Sequence, residues 1–435
     1  MTRIAASQRD PEERKDPARE WWLKDSRPWV LFVGRFGLPE SGAVFHRFHM
    51  IARALRDEGY RVALLPETFG GRPEDRDKDG LYRYDGFPYF PVESEGDTYG
   101  KLGTRIKRAI GVHNPSLRWL EEFWPRKIHV HAVITASLPT ACLNGVASFF
   151  RQQKVPVIFD DTEWYDPSNY PNWAINPNYY DFQLLRYWLL KRIGNTLAIS
   201  TLLEEFNRQR GCRVLRLPVL VDVRAVLVRA KDDHRDRTQA LTVAYTGSPG
   251  RGKDNLWVVL EGMHLARKKG HDVRLRVVGP SREQLLSFNG AAPDVLTELG
   301  DNITFTGRVP AAIARQEMAA ADFTILVRPD RRYARAGFPT KVVESLCAGT
   351  PVILSPVGDV ALFLQDGREA IFVREVAPEA VCHALSQVAV MSREEHGEMR
   401  AAARKCAEDN FDYRIYAGAI AGFIKESQQR VMAFS

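Results

Sequence analysis

Residues 328–358 read RPDRRYARAGFPTKVVESLCAGTPVILSPVG. The turn formers Gly337-Phe338-Pro339-Thr340 lead into a short helix whose apolar residues recur at helical spacing. Gly349 ends that helix, and Pro351-Val352-Ile353-Leu354 reads as a buried strand. Thr340 suits the N-cap, where its hydroxyl can accept from a free backbone N–H of the first turn. A helix start of this kind seats a phosphate, because unpaired N–H groups and the positive end of the dipole converge there. Lys341 adds a cation in the first turn, where the dipole disfavours one; a bound anion would relieve the misfit. Glu344 lies about one turn further in. Val343 holds the position a capping box would give to an acid, so capping does not account for Glu344. A carboxylate there can accept two hydroxyl bonds, which suits a sugar diol. The alternative for the same residues is a capped surface helix with Lys341 and Glu344 solvated.

Outward from this stretch the chain alternates strands and helices. Phe323 to Val327 is the strand entering the motif, and Arg328 closes it. Leu241 to Gly247 is a strand ending in glycine, followed by Ser248-Pro249-Gly250-Arg251-Gly252-Lys253 and a helix carrying Leu256, Val259, Leu260 and Met263. A basic glycine-rich loop between strand and helix can fold round a diphosphate. It is not a Walker loop, since Gly-Lys-Ser/Thr is absent. Val273 to Gly279 and Ile303 to Gly307 are further strands. The first half has the same rhythm. Trp29 to Val33 is a strand, Gly34 to Ala43 a glycine-rich loop, and Val44, Phe48, Ile51 and Leu55 mark a helix closed by Gly59. Arg61 to Leu65 follows as a strand. This β-α-β pattern predicts parallel sheets and an α/β fold of two doubly wound domains.

The organisation expected is a polar tail (1–27), a first domain (28–228), a linker (229–240, containing RAKDDHRDRTQ), a second domain (241–410) and a terminal helical piece (411–435). Within the first domain, Ile128 to Ile134 alternates like a strand and carries His129 and His131 on one face. No third ligand accompanies them, so a metal is not expected. Val155 to Phe159 is a strand followed by Asp160, Asp161 and Glu163. Acids at the C-terminal end of such a strand sit at the cleft of an open α/β sheet, which makes Asp161 and Glu163 candidates for acceptor hydroxyls. Ser168 to Tyr180, rich in Asn, Pro and Tyr, reads as a long loop beside that cleft. Asp75 to Gly80 imitates the start of a calcium loop, but its twelfth position is Gly86 rather than an acid, so calcium binding is rejected.

Composition narrows the classes. The 435 residues are 45% hydrophobic and 26% charged, ordinary for a globular protein of two domains. The net charge of +7 favours an anionic partner: a nucleotide, an acidic lipid surface or a nucleic acid. Basic residues do not gather with aromatics in one nucleic-acid module, so nucleic acid is not expected. Five scattered cysteines without a C-x-x-C argue against a disulfide framework and a zinc site, and for a reducing cytoplasm. The first twenty residues lack the apolar core of a signal peptide, and no run is long enough for a transmembrane helix. Lys101 to Lys127 is basic and aromatic, and its first half could rest as an amphipathic helix on an anionic membrane. A solvated helix with buried aromatics is the alternative.

The motif at 337–353 resembles the nucleotide-sugar motif of retaining glycosyltransferases of family 4, whose fold is GT-B. Gly337, Phe338, Glu344, Ala348, Gly349, Thr350, Pro351, Val352 and Ile353 match its pattern. Ala336 stands where that pattern has a first acid. The Ala-Gly-Phe-Pro-Thr-Lys variant resembles a bacterial branch. The resemblance implies two facing Rossmann-like domains, the first binding the acceptor and the second a nucleoside-diphosphate sugar, with no cofactor beyond that substrate. It implies donor contacts at Gly42, Gly247, Arg251, Lys253, Arg308, Gly337, Phe338, Pro339, Thr340, Lys341 and Glu344. Lys253 and Arg328 would stabilise the leaving diphosphate, and His131 would lie by the transferred sugar. Ser248 replaces an arginine of the family pattern, and Ala43 its second loop glycine. The terminal helix would pack back on the first domain. Expected partners are the nucleotide sugar and a glycan or lipid-linked acceptor. A sugar-nucleotide epimerase of similar architecture is the other enzyme class.

Overall fold

The computed structural model describes residues 27–38, 42–69, 75–77, 81–92, 102–123, 129–170, 172–226, 240–247, 249, 253–287 and 292–433. The tail, residues 229–239 of the expected linker, Ser248 and Arg251 lie outside them.

Two twisted sheets carry the structure. The first is eight-stranded, in the order β3-β4-β2-β1-β5-β6-β7-β8. Its strands are β1 (Trp29–Leu38), β2 (Arg61–Phe69), β3 (Tyr82–Tyr84), β4 (Phe87–Tyr89), β5 (Val130–Ala136), β6 (Val157–Asp161), β7 (Asn195–Ala198) and β8 (Arg213–Arg216). All pairings are parallel except the β3–β4 hairpin at one edge. Central β1 is buried on both faces from Trp29 to Gly34. That is why its sequence is a continuous apolar run rather than an alternating one. Gly34 sits where β1 and β5 part. A Cβ there would stand 2.4 Å from the Ala136 carbonyl oxygen, so only glycine lets the two strand ends approach.

The second sheet has six parallel strands in the order β11-β10-β9-β12-β13-β14. They are β9 (Leu241–Thr246), β10 (Val273–Val278), β11 (Ile303–Gly307), β12 (Phe323–Leu326), β13 (Val352–Leu354) and β14 (Ala370–Phe372). The register pairs Val243 with both Leu275 and Phe323, so β9 and β12 are the central neighbours. This is the dinucleotide-fold order, two three-strand halves wound in opposite directions from β9 and β12.

The domains are not independent bodies. One apolar cluster runs from Trp164, Leu203, Phe206 and Val221 of the first into Val342, Phe338 and Phe411 of the second. The chain crosses twice at one point: the Val221 amide donates to the Phe411 carbonyl at 3.0 Å, and the Tyr413 amide to the Val221 carbonyl at 3.0 Å. The Tyr413–Ala433 helix then lies along the Gly42–Asp57 helix, with Tyr413, Ile420, Phe423 and Ile424 in the first domain's core. Arg414 and Arg53 both bind Asp222, at 3.0 and 2.8 Å, and pin that return.

Of the stretch read as a loop, Ser168 to Tyr180, the last four residues begin an α-helix. Pro167–Asn169 and Trp173–Ile175 are single tight turns. Asn176 then caps a helix, Pro177–Leu184, that runs on through a π-turn at Leu185–Leu189 into Leu190–Ile193. Its inner face is held by Arg186, a buried cation.

Candidate active site

Strand order reverses between β9 and β12, so the crevice beyond their C-terminal ends is where an α/β sheet places a ligand. Gly247 follows the end of β9, and Arg328 lies two residues beyond the end of β12. Gly247 has φ +118°, and a Cβ on it would meet the Lys341 Nζ at 2.7 Å. Gly279, after β10, has φ +132°, and its Cβ would meet the Gly247 carbonyl oxygen at 2.2 Å. Two glycines thus let two turns and an ammonium share one small space.

The hub of this space is Asp254, a residue the sequence reading passed over. Its side chain is 2% exposed. Its Oδ1 accepts from Arg328 Nε at 2.7 Å; its Oδ2 accepts from Lys341 Nζ at 2.7 Å and from the Tyr245 hydroxyl at 2.8 Å. The Lys341 ammonium also lies 4.7 Å above the Tyr245 ring. Burial alone would raise the Asp254 carboxyl, but Lys341 and Arg328 hold it below the usual carboxylate range. Burial pulls the Lys341 ammonium below its usual value, against the pull of Asp254. The arrangement has two cations for one carboxylate, which leaves a net positive charge at the mouth of the crevice.

Beside it the Thr340–Cys347 helix begins. Pro339, not Thr340, is its N-cap, and no side chain caps it. Thr340 is the first helical residue because Pro339 is already extended (ψ 107°). The Val342 N–H donates to the Pro339 carbonyl at 3.0 Å, and no side chain caps the other N–H groups of the first turn. The Glu344 carboxylate, one turn in, makes no hydrogen bond or ion pair among the described residues. Burial raises its carboxyl above the usual range, against the opposing pull of Arg315 and Lys341. On the other side of Gly247 opens a cavity of about 360 Å³, lined among others by Gly279, Pro280, Gln284, Arg308 and Val309. A larger hollow of about 640 Å³ between Gly367, Arg368 and Met399 contains none of these residues and lies apart from the crevice.

The first domain supplies the facing wall. Lys253 Nζ donates to the Tyr165 hydroxyl at 3.2 Å, lies 4.0 Å from Glu163 Oε1, and stands 4.6 Å over the Tyr165 ring. The Tyr165 hydroxyl donates to Glu163 Oε2. Around them, Arg332 donates to the Tyr165 carbonyl at 3.1 Å, the Tyr333 hydroxyl to the Lys253 carbonyl at 2.9 Å, and Ser200 Oγ to the Ala336 carbonyl at 2.7 Å. The cleft is thus bridged by groups from both domains.

Residues 240–389 match the family model for glycosyl transferases group 1. No curated protein sequence matches the chain. Among solved structures, it resembles HepE from Anabaena, in a complex with UDP and glucose, at TM-score 0.63 and 15% identity, covering 90% of this chain and 98% of that one. Sucrose-phosphate synthase from Thermosynechococcus elongatus superposes at 0.65 with 14% identity, covering 94% and 100%. A glycosyltransferase from Rickettsia africae gives 0.63 with 13%, covering 93% and 99%. The fold is GT-B.

Within the GT-B cleft the sequence-derived candidates divide. Gly247, Lys253, Arg308, Arg328, Gly337, Pro339, Thr340, Lys341 and Glu344 gather around the switch point, and Glu163 faces them. Gly42 begins the Gly42–Asp57 helix with φ +81° and open space where a side chain would be. Phe338 belongs to the core: its ring packs against Phe363 at 5.7 Å and Phe411 at 5.6 Å, so any donor contact it makes is through backbone. Ala336 is fully buried at the domain junction. Asp161 is not open to an acceptor. It is 1% exposed, and its oxygens accept from Arg186 at 2.7 and 3.0 Å and from Asn207 at 2.8 Å. Successive strand residues point to opposite faces, and its neighbour Asp160 is likewise consumed by Arg47, at 2.9 Å.

His131 is also misplaced by the sequence reading. It is the second residue of β5, whereas the cleft lies beyond the strand's other end, Ala136. It packs on His129 (4.5 Å) and Tyr60 (5.9 Å) under the terminal helix. Burial, with His129 and Lys425 adding to it, lowers its pKa to about 4. A neutral imidazole at the N-terminal end of β5 has no access to the crevice beyond the strands' C-terminal ends.

Proposed function

We propose that the protein is a glycosyltransferase moving a hexose or related sugar from a nucleoside-diphosphate sugar to a glycan, lipid-linked or small-molecule acceptor, with retention of anomeric configuration. One observation carries this reading: the excess positive charge of Arg328 and Lys341 over Asp254, at a helix start no side chain caps, with a cavity of about 360 Å³ on the other side of Gly247. The diphosphate would lie on Lys341, Arg328 and the first-turn N–H groups of the Thr340–Cys347 helix. The base would enter the cavity beside Arg308, and Glu344 would accept from the ribose hydroxyls.

In the reaction the bond from the anomeric carbon to the diphosphate oxygen breaks, and charge collects on the phosphate oxygens. Lys253, Arg328, Lys341 and the helix start stabilise that charge electrostatically, without need of a metal. The acceptor oxygen bonds to the anomeric carbon on the face the diphosphate leaves, and its proton passes to the departing phosphate. Glu163 and Tyr165, opposite Lys253, would hold acceptor hydroxyls. The solved complex of HepE with UDP makes uridine the first base to try. The five cysteines are buried free thiols, which supports work in a reducing cytoplasm.

Thermal melting against UDP, GDP, dTDP, ADP and CDP tests the donor half. The matching nucleotide, at about a hundred times its dissociation constant, adds ~2.7 kcal/mol. No stabilisation by any of the five would refute it. With a donor in hand, the anomeric coupling in the product's NMR spectrum decides retention, and turnover in EDTA decides metal independence.

A further inference from the structure

The helix built from Pro177–Leu184, the π-turn and Leu190–Ile193 turns the wrong face to water. Leu185, Arg186, Leu189 and Leu190 are buried, as an amphipathic helix requires. Yet Tyr180, Leu184, Tyr187 and Trp188, which share the outer face, are 41–52% exposed. The stripe ends in two exposed cations, Lys191 and Arg192, with the Arg192 guanidinium 5.0 Å over the Trp188 ring. Arg210 flanks it on the other side, 4.9 Å over Tyr187. The helix's one acid, Asp181, is turned inward and accepts from the Thr140 backbone N–H at 3.1 Å.

A second exposed apolar segment approaches the same place. Ile110 and Val112 are 65% and 71% exposed. Between them, Gly111 lies so close to Ala141 that an added Cβ would stand 3.2 Å from its side chain. The first turn of the Thr140–Gln152 helix therefore has Gly111 on one flank and Asp181 on the other. Contiguous exposed apolar surface marks an interaction site. Trp and Tyr beside Leu, bordered by Lys and Arg with acids withdrawn, is the composition of an element lying in the headgroup region of an anionic bilayer.

We propose that this face docks on anionic phospholipid membrane, with Tyr187 and Trp188 entering the interface and Lys191, Arg192 and Arg210 meeting lipid phosphates. The inner face of the same helix reaches the cleft wall, where Phe182 lies 6.2 Å from the Tyr165 ring that Lys253 covers. A surface so placed would present the cleft to an acceptor carried on a lipid. That last point rests on the transferase reading; the docking itself does not.

The test is co-sedimentation of the full chain with phosphatidylcholine vesicles, with and without phosphatidylglycerol, in the absence of nucleotide. Binding is expected only with the anionic lipid, and should weaken as salt rises. Lys191→Gln/Arg192→Gln should lower the partition coefficient roughly thirtyfold, and Tyr187→Ser/Trp188→Ser should lower it at least as much. Both variants should keep wild-type melting with the nucleotide diphosphate, which separates loss of docking from loss of fold or donor site. Equal binding to both vesicle types, or unchanged partition in both variants, overturns the proposal. So does concentration-dependent dimerisation that the aromatic variant abolishes, because the stripe would then belong to a second copy of the chain.

Discussion

Replacing Asp254 by Asn is the sharpest probe of the crevice. The substitution keeps the shape and removes one charge from between two cations. Arg328 and Lys341 would then face each other across a neutral amide. Breaking a buried ion pair by deleting one partner costs about 3–5 kcal/mol. Arg328 and Lys341 are each 20% exposed, so water recovers part of that, and a loss of about 2–3 kcal/mol is expected. The loss should depend on pH. The folded-state pKa of Asp254 is depressed, so its stabilisation is complete above the unfolded value of about 3.9 and is lost as pH falls through the folded value. Melting curves of wild type and variant should lie apart at pH 7 and converge only as pH falls through the depressed folded value, below about 3.9. A diphosphate supplies the charge that the variant lacks. The nucleotide that stabilises wild type should therefore stabilise Asp254→Asn by a larger increment, even if turnover falls. Calorimetry across pH, with and without nucleotide, reads all three. Equal melting of the two proteins at pH 7 would refute the hub. A nucleotide increment no larger in the variant would separate the hub from the phosphate site.

Other expectations follow from the same geometry. Gly247→Ala forces a Cβ onto the Lys341 ammonium at a positive φ, and should weaken nucleotide binding by about tenfold or more in a titration while costing about 1–3 kcal/mol of stability. Lys253→Ala should lower turnover by about a hundredfold, within the range of lost oxyanion donors, with little change in nucleotide affinity; unchanged turnover removes Lys253 from the mechanism. His131→Gln should leave the transfer rate within about twofold, the imidazole being remote from the cleft, and a tenfold fall would return it to the chemistry. Glu344→Gln should raise the melting temperature at pH 7, since burial disfavours its charge more than Arg315 and Lys341 favour it, while weakening nucleoside binding; a lowered melting temperature would mean Glu344 is a structural anion.

What sequence revealed, and what it concealed, follows from separation along the chain. The turn, helix and strand from Gly337 to Ile353 are contiguous, so their glycine, proline and apolar spacing state their conformation directly. The two doubly wound halves were legible for the same reason, as repeated strand-loop-helix units. Asp254 was hidden because its cationic partners stand 74 and 87 residues away, and nothing local distinguishes it from a solvated acid after Lys253. Asp161 misled in the opposite sense: its place after a strand is right for a cleft, but the pleat turns it inward onto Arg186, and a buried arginine leaves no apolar signal. His131 was placed at the transferred sugar by the family resemblance, not by its local sequence; it stands near the start of β5, five residues before the strand end at Ala136. Thr340 failed by one residue, because Pro339 could already supply the extended cap.

The return of the Tyr413–Ala433 helix onto the first domain has a consequence for biogenesis. Ile420, Phe423 and Ile424 complete a core whose other members begin at Val30. While the ribosome is still making the second domain, the sheet made first has a bare hydrophobic flank along the Gly42–Asp57 helix. That flank is covered only after roughly four hundred residues have been polymerised, so the amino-terminal half must wait, in a state that chaperones can grip, for the last helix to arrive.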